Sequence, residues 1–88
     1  MLSQKEKEKI IEKYKLHGQD TGSPEVQVAL FTEEIKRLLL HLKKNPKDVH
    51  SKRGLLKMVS KRKNLLDYIK DESTRRYNVI VKKIGLKK

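Results

Sequence analysis

Residues 24 to 46, PEVQVALFTEEIKRLLLHLKKNP, hold both prolines of the chain, one at each end, with no glycine between them. A proline at the first helical position has its φ preset for the helix, and Ser23 before it is a good N-cap. At the other end Pro46 disfavours helical geometry at Asn45, so the segment predicts one uninterrupted helix ending near Lys44. Val28, Phe31, Ile35, Leu38 and Leu42 recur at helical spacing and make one apolar stripe. Leu30 and Leu40 fall on another face, which predicts a helix at the centre of a bundle with neighbours on two sides.

Three more helices follow from cap and stop signals. Ser3 and Glu6 have capping-box spacing, and the helix they start should reach about Leu16, with Ile10, Ile11 and Tyr14 as its few apolar contacts and Gly18 as its stop. This helix is the least anchored and should dock conditionally, pivoting between Gly18 and Gly22. Asp48 or Ser51 caps the third helix, which runs to about Lys70. Ser73 caps the fourth, which buries Tyr77, Ile80, Val81 and Ile84 and stops at Gly85. The short connection between helices two and three implies an antiparallel hairpin. The expected fold is all-α, four helices without strands, in a single domain over residues 1–88.

Eighty-eight residues without cysteine must fold by packing alone, with no disulfide or thiolate metal site and little room for a catalytic pocket. No apolar run approaches the length that spans a bilayer, about 20 residues. Residues 1–16 lack a signal-peptide core. A soluble, cytoplasmic protein is expected. Its net charge of +12 is one-sided: residues 1–42 carry seven basic and seven acidic side chains, residues 43–88 sixteen basic and four acidic. Such a field favours a polyanion, because each neutralised phosphate releases condensed counterions.

The stretch HSKRGLLKMVSKRKNLLDY, residues 50–68, mixes leucines with cations. At about 100° per residue, Leu55, Val59, Leu66 and Ile69 share one arc, while Arg53, Lys57, Lys61, Asn64 and Tyr68 cluster about 160° away. The first arc is core and the second is free for a ligand. Arg62 falls in the apolar arc, where its stem can lie on hydrophobic surface with the guanidinium at the edge. Tyr68 is either a partly exposed core tyrosine or a ring for stacking on a base.

His41, Asp48 and His50 bracket one turn, yet their spacing matches no metal motif, and the lysines around them repel a divalent ion. Neither catalysis nor a cofactor is expected. Asp48 is the only acid among nine basic residues between positions 43 and 63. It can cap the third helix, or accept a hydrogen bond from the guanine amino group in a minor groove. Both roles draw on the same oxygens.

TGSPEVQVALFT, the HxxxxxxDxHSxRGLLKMVSKR pattern and LLDY, taken in order, resemble the bacterial-type small-subunit ribosomal protein number fifteen over essentially the whole chain. The resemblance implies a non-catalytic four-helix protein of the ribosome that binds small-subunit ribosomal RNA and promotes assembly of its central domain. Implied partners are that RNA and neighbouring ribosomal proteins, with no membrane, and a monomer when free. Thr21, Gly22, Gln27 and Tyr68 match positions that grip a three-way RNA junction. His41, Asp48 and Ser51 match positions that read a shallow groove with a G-U and G-C element. Lys52, Arg53, Lys57 and Lys61 are assigned to phosphates. Val49 stands where the family commonly has histidine and Lys52 where it commonly has arginine, so a planar fork becomes a point charge. Two further readings are a protein-docking module using Leu30 and Leu40, and a basic membrane-surface helix.

Overall fold

A computed structural model describes residues 2–14 and 22–85. Four helices, α1 (Gln4–Tyr14), α2 (Pro24–Lys44), α3 (Val49–Glu72) and α4 (Thr74–Ile84), account for nearly all of them. The expected end of the first helix at Leu16 and the pivot at Gly18 fall outside the described residues.

Each start follows from a side chain that satisfies a helix-end amide. Ser3 Oγ accepts from Glu6 N at 3.2 Å while Glu6 Oε1 accepts from Ser3 N at 3.2 Å. This is a reciprocal capping box. Ser23, Asp48 and Ser73 cap α2, α3 and α4 by accepting from Val26 N, Ser51 N and Arg76 N. Gly85 ends α4 at φ 77°. A residue without a Cβ adopts that left-handed conformation at no steric cost.

The turn at 45–48 folds α2 and α3 into an antiparallel hairpin, the most extensive contact between helices. Their apolar stripes face each other, and α4 folds back so that Val28 of α2, Ile69 of α3 and Ile80 of α4 make a fully buried cluster. Leu65, Leu66, Tyr77 and Ile84 pack around it, as does Tyr14 at the end of α1.

The buried arc of α3 is rotated from the expected one. Ile69 is fully buried whereas Val59 is 39% exposed. The two differ by about 80° round the helix. The arc centres on Met58, Arg62 and Ile69, because α2 lies over that side only. Arg62 differs in detail too: its guanidinium, instead of only skirting the edge, donates to Thr32 Oγ1 at 3.3 Å. Burial pushes its pKa down. Thr32 in turn donates to Val28 O at 2.8 Å.

The expected apolar contacts of α1, Ile10, Ile11 and Tyr14, are only half-buried, and none of the residues of this helix is fully buried, although Leu2 just before it is. Polar contacts add to the packing of Tyr14 on the core. Glu6 pairs with Arg37 of α2. Lys83 of α4 lies 5.1 Å from the Tyr14 ring centre while donating to Lys13 O at 3.2 Å. A cation over an aromatic face is attracted by the ring's electron-rich centre. Partial burial raises the Tyr14 pKa, with Glu33 adding to the effect. Leu30 is half-buried near α1, which supplies the second neighbour of α2, but Leu40 is 65% exposed.

One anchor has no local sequence signal. Arg76 donates from Nε and a terminal nitrogen to the two carboxylate oxygens of Glu25, both at 2.6 Å, across 51 positions of chain. Glu25 is buried, so this bidentate pair fastens the start of α4 to the start of α2. The hydrogen bonds from Arg76 to Glu25 raise the Arg76 pKa further above its ordinary value.

Candidate nucleic-acid interface

The turn between α2 and α3 is built by Asn45. Its backbone N–H and side-chain amide both donate to His41 O, at 2.9 and 3.2 Å, and its carbonyl accepts from Asp48 N at 3.1 Å. This closes the seven-residue separation between His41 and Asp48, and His41 Nε2 lies 2.8 Å from Asp48 Oδ2. The same carboxylate accepts from Ser51 N at 3.0 Å through Oδ1 and from Ser51 Oγ at 2.8 Å through Oδ2. The His41 contact, then the Ser51 backbone and hydroxyl bonds, hold the Asp48 carboxyl well below the usual carboxylate range.

These bonds fix what the three side chains offer to a ligand. An ionised carboxylate only accepts, so His41 Nε2 carries the hydrogen, and in the neutral form of the ring Nδ1 is an acceptor. Ser51 gives its hydroxyl hydrogen to Asp48 and keeps oxygen lone pairs. Asp48 has about four lone-pair sites. Three of them are engaged. The cap and a spare acceptor site therefore coexist on the partly exposed Asp48. The trio presents acceptors to its surroundings, the complement of an amino group or a ribose hydroxyl. Beside it runs a groove of about 200 Å³ lined by Glu34, Arg37, Leu38, His41, Ser51 and Met58.

At the far end of α2, Gln27 Nε2 donates to Gly22 O at 2.8 Å, which braces the approach to the helix. Both residues are exposed, while Thr21 lies outside the described residues. Gln27 and His41 are about 21 Å apart along the helix at about 1.5 Å per residue. On the helical wheel Gln27, Glu34 and His41 occupy the same flank of the α2 stripe. In an antiparallel pair the matching flank of α3 carries Gly54, Lys57, Lys61 and Tyr68. The opposite flank holds the Thr32–Arg62 bond.

The side chains of Arg53, Lys57 and Lys61 are exposed and, among the described residues, have neither ion-pair nor hydrogen-bond partners. Tyr68, at 52% exposure, belongs to this face and not to the core. The Lys52 side chain is also exposed and without such partners among the described residues, although its backbone N–H donates to Asp48 O at 3.1 Å. It sits about 100° round from Arg53, towards the opposite flank. The face thus gathers two preformed polar ends and an unpaired cationic line. The sequence alone leaves open whether Asp48 caps or reads; only the position of His41 across the turn resolves how the carboxylate is shared.

No group of three or more His, Asp or Glu that could hold a metal ion occurs among the described residues. None of the helices is long and apolar enough to cross a membrane.

Comparison with known proteins gives a consistent result. The family described as ribosomal protein S15 matches residues 7–87. The chain is 56% identical over 87 residues to the small ribosomal subunit protein uS15 of Natranaerobius thermophilus, covering 99% of this chain and 98% of that one. Identity and coverage are the same for the uS15 protein of Carboxydothermus hydrogenoformans. For that of Oceanobacillus iheyensis, identity is 53% over 87 residues, with 99% and 98% of the two chains covered.

Proposed function

Since the chain belongs to the ribosomal protein S15 family, a structural component of the small ribosomal subunit and not an enzyme, we propose that it braces small-subunit ribosomal RNA at two places. Gly22, Gln27 and Tyr68, with Thr21, grip a three-way junction. His41, Asp48 and Ser51 read a nearby shallow groove containing a G-U and G-C element. Arg53, Lys57 and Lys61 hold the phosphates between, and Lys52 adds a cation at the margin. By fixing two RNA segments at a set distance, the monomeric protein promotes assembly of the central domain in the cytoplasm and prepares it for later ribosomal proteins.

The observation that carries this reading is the acceptor trio standing on the same face as an unpaired cationic line. A-form RNA exposes base edges and ribose hydroxyls in a wide, shallow minor groove, where short polar side chains reach. The guanine amino group is the distinctive donor there, and the acceptor oxygens of Asp48 and Ser51 suit it. Backbone contacts position the protein while the trio discriminates. A basic lysine-rich surface alone predicts only charge-driven binding.

Titrating a central-domain RNA fragment at two salt concentrations tests the proposal. Affinity should fall with salt on a logarithmic slope of about −2 to −4, the range set by three or four neutralised phosphates, and should exceed that for unrelated RNA by at least about 10³-fold. Equal affinity for the two RNAs would refute specific recognition. A protein-docking role draws less support, because Leu30 is half-buried against the fold itself.

A further inference from the structure

Gly54 lies inside α3, where glycine destabilises a helix relative to alanine. Nothing among the described residues requires it. Its φ is not positive, since Gly85 is the only glycine with positive φ among the described residues. Nor does packing demand it, because a Cβ at Gly54 would meet no atom within 4 Å beyond its chain neighbours and the backbone of its own helix turns.

Position along the helix supplies a reason. Gly54 stands three residues after Ser51, which is bonded to Asp48, and three before Lys57, on the flank that carries Lys57 and Lys61. At about 1.5 Å per residue, each of those steps is about 4.5 Å along the axis. The acceptor trio and the cationic line are therefore joined by a stretch of bare helix backbone. A nucleic-acid strand whose groove edge meets Asp48 and Ser51, and whose phosphates meet Lys57 and Lys61, must cross that point.

We propose that Gly54 is a contact notch for the RNA, a residue kept without a side chain so that the sugar-phosphate backbone passes close to the surface of α3. This rests on the RNA-binding reading above. It adds a determinant that has no charge and no hydrogen-bonding side chain, and that acts by permitting close approach, as glycine does wherever a backbone must lie against a ligand. The other mid-helix contacts on this face are long flexible side chains that can move aside; a methyl group fixed to the helix backbone cannot.

The test is Gly54→Ala, read in two assays with opposite expected signs. The melting temperature of the free protein should rise by a few degrees, as alanine is the better helix former and has open space around it. Affinity for the central-domain fragment should nevertheless fall by about tenfold, and Gly54→Val should lower it further. Circular dichroism on both variants establishes that the helices remain. A Gly54→Ala protein that binds the fragment as tightly as the parent chain would overturn the notch and leave the RNA-binding reading intact. A parent chain with no preference for the fragment over unrelated RNA would overturn both.

Discussion

Replacing Arg76 with alanine should lower the melting temperature by about 10 °C or more. Glu25 is buried and its two oxygens are satisfied by Arg76 at 2.6 Å each, so the variant leaves an unpaired carboxylate in the interior. Removing one partner of a buried pair costs about 3–5 kcal/mol. The Arg76 side chain is 39% exposed, so water can partly reach the site. The lower end therefore applies, about 3 kcal/mol. In a domain of this size, each kcal/mol moves the midpoint by about 4–8 °C. Thermal unfolding followed by circular dichroism measures it. The double variant Glu25→Leu with Arg76→Met should recover much of the loss, because the cost lies in the stranded charge and not in the absence of a salt bridge. The exposed Lys36–Glu33 pair is the comparison. Such a surface pair is worth at most about 1 kcal/mol. An Arg76→Ala protein no less stable than one lacking that pair would show that the anchor is unimportant.

The second large effect separates reading from holding. Asp48→Ser keeps a residue able to cap α3 but removes the carboxylate that gathers His41 and Ser51. Discrimination between a guanine-containing groove and the same RNA with inosine, which lacks the amino group, should fall by about tenfold or more, the scale of one lost base-edge contact. His41→Ala should act in the same direction. Lys57→Ala and Lys61→Ala should instead weaken both RNAs alike and flatten the salt slope by about one each. Equal losses for the two sets of variants, in affinity and in discrimination, would contradict the division of roles.

Fold and site are not equally legible in the sequence. Helix starts are local chemistry, so the capping box at Ser3 and Glu6 and the caps at Ser23, Asp48 and Ser73 can be read from a few adjacent residues. The hairpin follows from Asn45-Pro46 and two facing stripes. The rotation of the α3 core arc does not, since the wheel places Val59 beside the apolar residues but cannot say which side α2 covers. Glu25 reads as an ordinary first-turn acid until the fold brings Arg76 to it from 51 positions away. Leu2 likewise carries no periodic signal that foretells its burial.

At the candidate interface, residue types are legible and their mutual arrangement is not. A lone acid among cations marks Asp48 as unusual, and only the turn geometry reveals that capping and presenting an acceptor are compatible. The cationic line is computable from helical angles, as is its separation from the core. Gly54 draws no attention in the sequence because a glycine inside a helix is conspicuous only once the space around it is known to be empty.

Cleavage protection of the small-subunit ribosomal RNA by the intact protein bears most directly on the claim that one hairpin face bridges two RNA elements. It should protect two patches, a junction and a guanine-containing groove, separated by about 21 Å, the span from Gln27 to His41, or roughly six steps of about 3.4 Å. The groove patch alone should disappear with Asp48→Ser. A single patch, or protection that spreads over any helical RNA and vanishes uniformly with salt, would contradict it.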